Sequence, residues 1–218
     1  MGTIVVTGFE PFGNDRANPS QEIANPSQEI ANPSQEIAKV FDGRQVGTCA
    51  VRGIVLPVDH TAARALVTFA LSDPELVGVV HLGLAGGRAR IALEGVAVNV
   101  MDYSIPDAKG QRFAGEPCVM GGPAAYFSTL PNRAVLTALM ADGVPAYLSY
   151  TAGTYLCNHT LYWTLHEIAQ RGLAVRAGFM HVPFLPSMVA AHGLDEPSMS
   201  LSTMIQAAEI TLRVLAEG

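Results

Sequence analysis

The sequence predicts an α/β fold, a three-layer sandwich with a mixed, mostly parallel central sheet flanked by helices. Three observations point there. Near-continuous apolar runs of strand length recur along the chain, the mark of strands covered on both faces. Stretches with apolar residues at helical spacing alternate with them, the order expected of strands joined by crossover helices. Apolar residues make up 49% and charged residues only 15%, so a chain of this length can take roughly 70–75% of its unfolded surface out of water. One domain over 1–218 is the simplest division.

The elements follow in order. Thr3–Phe9 reads as the first strand, because Met1-Gly-Thr-Ile-Val-Val-Thr7 lacks the charged start and long apolar stretch of a signal peptide. Further strands are expected at Thr48–Val58, Gly78–Ala85, Ile91–Val100, Ala146–Gly153 and Arg176–Pro183. Helical patterns occupy Pro33–Phe41, Thr61–Ser72, Asn132–Asp142, Cys157–Arg171 and Ser200–Ala216. Residues 101–122, rich in Gly, Pro and Asp, read as a long irregular excursion, and such loops are usually functional or mobile.

Ala-Asn-Pro-Ser-Gln-Glu-Ile occurs three times in succession, at 17–23, 24–30 and 31–37. A proline in every copy excludes a coiled coil. Each copy resembles a helix start, with Asn as N-cap, Pro at the first helical position and Gln as reciprocal cap. Only the third runs on into a helical pattern, Ile37-Ala-Lys-Val-Phe41. Asn32 is therefore expected to cap the real helix, and the first two copies to form an extended loop, mobile over 14–31 and ordered by substrate.

The formal net charge of −6 and the lack of any basic cluster argue against nucleic acid and against an anionic membrane surface. No run of eighteen apolar residues would span a bilayer. Cys49, Cys118 and Cys157 are too widely spaced for a disulfide framework or a zinc site. A reduced, cytoplasmic α/β protein with no cofactor and no metal is expected.

Cys157 lies in Thr-Ala-Gly-Thr-Tyr-Leu-Cys-Asn-His, where a strand and loop give way to a helix. It fits a small core hydrophobe. It equally fits a nucleophile, because free amides and the helix dipole at a helix N-terminus favour a thiolate. Of six histidines, His181 sits at a strand's carboxyl end, the same edge as Cys157, and is the best-placed general base. His159 faces elsewhere on the Cys157 helix, His166 lies mid-helix on an exposed face, and His60 and His192 lie near helix boundaries. His81, inside an apolar strand, reads as a hydrogen-bonded core residue. Glu94 interrupts Ile91-Ala-Leu-Glu-Gly-Val-Ala-Val98; buried, it must be paired, although an outward position on an edge strand also fits. Gly83-Leu-Ala-Gly-Gly-Arg88 lacks the spacing of nucleotide-binding loops. Phe9 and Phe12 flank Pro11 in a loop and suggest an apolar pocket, or aromatics tucked into the core.

Four blocks, in order, resemble the pyrrolidone carboxyl peptidases (pyroglutamyl peptidase I). They are Gly8-Phe-Glu-Pro-Phe-Gly13 with a following Asn-Pro-Ser; Gly-Leu-Ala-Gly-Gly-Arg88 with Leu93-Glu-Gly-Val-Ala-Val-Asn99 and Ile105-Pro-Asp107; Ser149-Tyr-Thr-Ala-Gly-Thr-Tyr-Leu-Cys-Asn158; and Gly178-Phe-Met-His-Val-Pro183. The resemblance spans nearly the whole chain and implies Cys157 as nucleophile, His181 as general base and acid, and Glu94 as its orienter. It implies a pocket of Phe9, Phe12, Ile105, Tyr155 and Leu156, with the backbone carbonyl of Leu84 accepting a lactam N–H. The family's supporting loop asparagine maps onto Asn18 or Asn32. Gly95 and Ser104 stand where the family usually has arginine.

The activity implied is hydrolysis of the amide bond after an N-terminal pyroglutamyl residue, on peptide substrates, in a dimer or tetramer. A neutral lactam ring suits apolar walls and backbone hydrogen bonds. A phosphorylase-like or peptidyl-tRNA hydrolase-like activity on a similar sheet would need clustered Lys and Arg that the chain lacks. A pyroglutamyl-binding protein with little turnover is the reading from a different class.

Overall fold

The computed structural model describes residues 2–12 and 32–217. The strands are β1 (Thr3–Phe9), β2 (Gln45–Val46), β3 (Cys49–Leu56), β4 (Leu76–Leu84), β5 (Ile91–Glu94), β6 (Val96–Val98), β7 (Met101–Asp102), β8 (Ala114–Glu116), β9 (Ala125–Phe127), β10 (Ala146–Ser149) and β11 (Arg176–Val182). The helices are α1 (Pro33–Phe41), α2 (His60–Ala70), α3 (Asn132–Ala141), α4 (Leu156–Arg171), α5 (Pro186–His192) and α6 (Leu201–Glu217). Among the described residues, none of these helices is long and apolar enough to cross a membrane.

Seven strands form the main sheet in the order β10-β5-β11-β4-β1-β3-β2. Pairing is parallel except where β11 meets β5 and β2 meets β3. The sheet is therefore mixed and mostly parallel, as the apolar runs predict. Period-two alternation sends successive side chains to two cores. Ile4, Val6, Val80, Leu82, Met180 and Val182 meet α1, α3 and α6. Val5, Val79, Ala177 and Phe179 meet α2 and α4 on the other face.

Asn32 caps α1 as expected: its Oδ1 accepts from Ser34 N at 3.0 Å, and Pro33 takes the first helical position. The same asparagine donates to the Glu10 carbonyl at 3.3 Å, and Ser34 Oγ accepts from Phe9 N at 3.0 Å. The start of α1 is thus tied to the exit of β1. The first two heptad copies, with Asn18, lie outside the described residues.

The expected strand Ile91–Val100 is two strands. Gly95 breaks it, donating to Ser149 O at 2.7 Å and accepting from Ser128 N at 3.0 Å. β5 stays in the main sheet while β6 pairs with β9 in a separate ribbon. The excursion at 101–122 holds β7 and β8, paired antiparallel. Helix α5 has no counterpart in the sequence reading.

Candidate active site

The chain passes from β1 through α1 to β3 on one side, then through α2 to β4 on the other side of β1. Such a reversal leaves a crevice at the carboxyl ends of the two central strands. Pairing of β1 with β4 runs to Thr7 opposite His81, whereas β11 follows β4 to Val182 opposite Leu84. The end of β4, with Gly83 and Leu84, thus reaches beyond its pairing with β1. Phe9 ends β1 at this edge of the sheet, and His181 stands beside Gly83 near the end of β11.

His181, Gly83 and Glu94 all face the α4 side of the sheet. In the parallel pair His181 stands opposite Gly83; in the antiparallel pair Glu94 stands opposite Phe179, two residues before His181. Two residues is one repeat of the pleat, so the Glu94 carboxylate reaches His181: Nδ1 lies 2.7 Å from Oε1. Glu94 has no exposed surface and His181 3%. The alternative of an outward-facing Glu94 fails, because β5 lies between β10 and β11.

Cys157 is the second residue of α4, whose N-cap is Tyr155. The helix starts one residue earlier than the sequence pattern suggests. Cys157 is half-buried and forms no disulfide, and it lies close enough to His181 to raise that imidazole's pKa. Gly83 makes the room: a Cβ there would stand 2.7 Å from Phe179 Cζ and 3.0 Å from Cys157 Sγ. The backbone amides of the first turn of α4 point toward the sulfur's end of the helix, a favourable place for negative charge.

Burial by itself would lower the pKa of His181. The charge and hydrogen bond of Cys157, with the hydrogen bond and charge of Glu94, outweigh it and raise the pKa to about 9. At neutral pH the imidazole therefore holds both protons, one toward Glu94 and one available to the sulfur. His81 is the opposite case. Buried without a charged partner, its pKa falls to about 3, and its ring lies 2.7 Å from Thr7 Oγ1 and 2.8 Å from Thr164 Oγ1. It is a core residue, as its strand position implies.

The sequence-derived pocket residues divide by exposure. Phe12 (39%) and Ile105 (49%) are open, Tyr155 and Leu84 are half-buried, and Phe9 and Leu156 are buried. Leu156 packs into the core beside Leu161 and Phe179, so at the helix mouth it offers its backbone amide. Tyr155 donates to Pro106 O at 3.2 Å, tying the start of α4 to the loop that carries Ile105. Asn18 lies outside the described residues, whereas Asn32 is buried against the exit of β1. A separate cleft of about 370 Å³ lies at Gly95, Asn132, Leu148 and Tyr150. The ionisable groups His181 and Glu94 lie on the side of Cys157 instead.

Sequence reasoning missed several participants. Asn158 is fully buried, and its side chain accepts from Val98 N at 2.9 Å and donates to Val98 O and Val100 O at 2.9 and 3.0 Å. It clamps β6 to the helix turn that holds Cys157. A fully polar amide in an apolar helix was the available signal. Asp107 accepts from His60 Nδ1 at 2.9 Å and from the amides of Lys109 and Gln111. Its pKa is lowered: burial opposes this, and the hydrogen bonds from His60, Gln111 and Lys109 prevail. Asp59, His60 and Asp107 cluster closely enough to hold a cation, but each is already used, Asp59 as the cap of α2 and Asp107 as the organiser of its turn. His159 faces Tyr103 and His60, elsewhere than Cys157 as expected, and is buried, bonded to the first and stacked on the second. His166 is half-buried against Tyr126 rather than exposed.

Comparison with known proteins identifies the family. The profile of the family described as "Pyroglutamyl peptidase" matches residues 25–218. The chain is 38% identical over 217 residues to the pyrrolidone-carboxylate peptidase of Pyrococcus furiosus, covering 98% of each. It is 41% identical over 214 residues to that of Klebsiella pneumoniae, covering 98% of this chain and 92% of the relative. The structure of the pyrrolidone carboxyl peptidase from Thermococcus litoralis superposes with a TM-score of 0.89 at 38% identity, over 100% of this chain and 94% of that one. The chain belongs to the pyroglutamyl peptidase family.

Proposed function

We propose that Cys157, His181 and Glu94 carry out the family's reaction, hydrolysis of the amide bond after an N-terminal pyroglutamyl residue. The thiolate of Cys157 attacks the pyroglutamyl carbonyl carbon, and a C–S bond forms as the oxyanion meets the free amides at the start of α4. His181 gives its Nε2 proton to the departing amine and the C–N bond breaks. Neutral His181 then takes a proton from water, whose oxygen attacks the thioester. Pyroglutamate leaves, and the sulfur again faces a protonated imidazole. Glu94 keeps Nδ1–H engaged throughout, so Nε2 is the nitrogen that serves the sulfur.

The observation that carries this reading is His181, held between Glu94 at 2.7 Å and the sulfur at a helix N-terminus. Selectivity would come from the open apolar walls, Phe12 and Ile105, with the carbonyl of Leu84 accepting the lactam N–H. A charged α-ammonium would meet no carboxylate among those wall residues. A pyroglutamyl coumarin amide should therefore be cleaved and its prolyl counterpart should not; equal cleavage of the two would sink the pocket assignment. A homo-oligomer, dimer or tetramer, is proposed too, and light scattering tests it. Cytoplasmic residence is proposed on three unpaired cysteines.

A further inference from the structure

Gly86, Gly87 and Arg88 make the turn after β4, and no nucleotide-loop role explains them. Both glycines are compelled. A Cβ on Gly86 would fall 2.2 Å from Phe184 Cζ, and Gly87 has φ +74°, a region that L side chains avoid. This tight turn delivers the Arg88 side chain, 30% exposed, to the buried carboxylate of Glu94, with Nη1 3.2 Å from Oε1. That is the same oxygen that His181 engages at 2.7 Å, while Oε2 is buried with no hydrogen-bond partner. Two donors on one oxygen and none on the other leave a buried carboxylate poorly satisfied. The arrangement serves a different end, because it fixes which oxygen faces the imidazole.

We infer that Arg88 is a positioning residue for the reaction, holding Glu94 by the oxygen that orients His181 and offsetting part of that carboxylate's charge. The inference rests on the assignment of Cys157, His181 and Glu94 given above. The groups facing His181 are Cys157 from α4, Glu94 from β5 and, across the carboxylate, Arg88. His81 on β4 is neutral, and Glu196 lies beside the same turn, near Gly87. With Arg88 removed, Glu94 would neutralise the imidazolium alone and hold its proton more tightly. The proton would then leave His181 only at higher pH.

The test compares Arg88→Met and Arg88→Lys with the native chain in pH profiles of kcat/KM on a pyroglutamyl coumarin amide. Where turnover is too slow, an NMR pH titration of the His181 ring reads the same ionisation. Arg88→Met should lose about tenfold or more in kcat/KM, and its alkaline limb should move up by about one pH unit. Arg88→Lys, which keeps the charge, should leave the limb near its native position. An alkaline limb that stays in place in Arg88→Met, whether or not the rate falls, overturns the inference and leaves Arg88 a structural residue. If Arg88→Met fails to fold, Arg88→Gln carries the same comparison. Undiminished turnover in Cys157→Ala would overturn the underlying assignment, and the Arg88 role with it.

Discussion

Asn158 offers a test of how the helix that carries Cys157 is held. Its side chain is fully buried and makes one acceptor and two donor contacts with β6 and Val100. Asn158→Ala removes all three and leaves an amide and two carbonyls of the β6 segment with no partner from α4. At about 1 kcal/mol for each lost bond, with a further penalty for the stranded amide, the cost is about 3–4 kcal/mol. For a chain of this size that lowers Tm by about 10 °C. Asn158→Asp should be worse, because it keeps the acceptor but turns an anion toward two carbonyls and places negative charge beside Cys157. Differential scanning calorimetry, with kcat/KM measured well below the transition, reads both effects. A Tm drop under about 2 °C for Asn158→Ala would show that the clamp contributes little and that packing alone holds α4.

Other outcomes follow from the same geometry. Glu94→Gln removes the charge and the strong acceptor that raise His181, so the alkaline limb of kcat/KM should move down from about pH 9, with a loss of about 10–100-fold; an unmoved limb would contradict Glu94 as orienter. Gly83→Ala places a methyl against Phe179 and the sulfur and should cut kcat more than it raises KM, by about tenfold. Tyr155→Phe releases the Pro106 carbonyl and should raise KM several-fold with kcat nearly kept, as loss of a wall contact requires. His81 is depressed to about 3 when folded, against an ordinary value near 6.5 when unfolded. Its contribution is therefore present above about pH 6.5 and lost as pH falls toward 3, roughly 5 kcal/mol in all. His81→Gln should flatten the Tm–pH slope across that window by close to one proton, and an unchanged slope would refute the neutral assignment.

How much of this was legible in the sequence differs by element. Helix α1 was readable to the residue, because Asn32 and Pro33 carry local cap and first-turn chemistry that needs no partner. The strand at 91–100 was overread, since its apolar run continues through Gly95 while hydrogen bonds from Ser128 and to Ser149 turn the chain aside. Strands β7 and β8 owe their existence to pairing with each other, and a short helix such as α5, with Leu185 as N-cap and no side-chain cap, gives little local signal. At the site, Glu94 stood out as a carboxylate within an apolar strand, and Cys157 and His181 stood out by their places at a helix start and a strand's carboxyl end. Arg88 and Asn158 did not. The contacts of Asn158 lie about sixty residues away along the chain, and the role of Arg88 depends on an oxygen that His181 also claims.

The central claim is that Cys157 is the nucleophile of a pyroglutamyl peptidase. The most direct measurement is hydrolysis of a pyroglutamyl coumarin amide by the native chain and by Cys157→Ala, with pyroglutamate binding followed in both. The account predicts turnover by the native chain, none by the variant, and binding by each. Turnover that survives in Cys157→Ala, or a native chain that binds pyroglutamate without hydrolysing the amide, would contradict it.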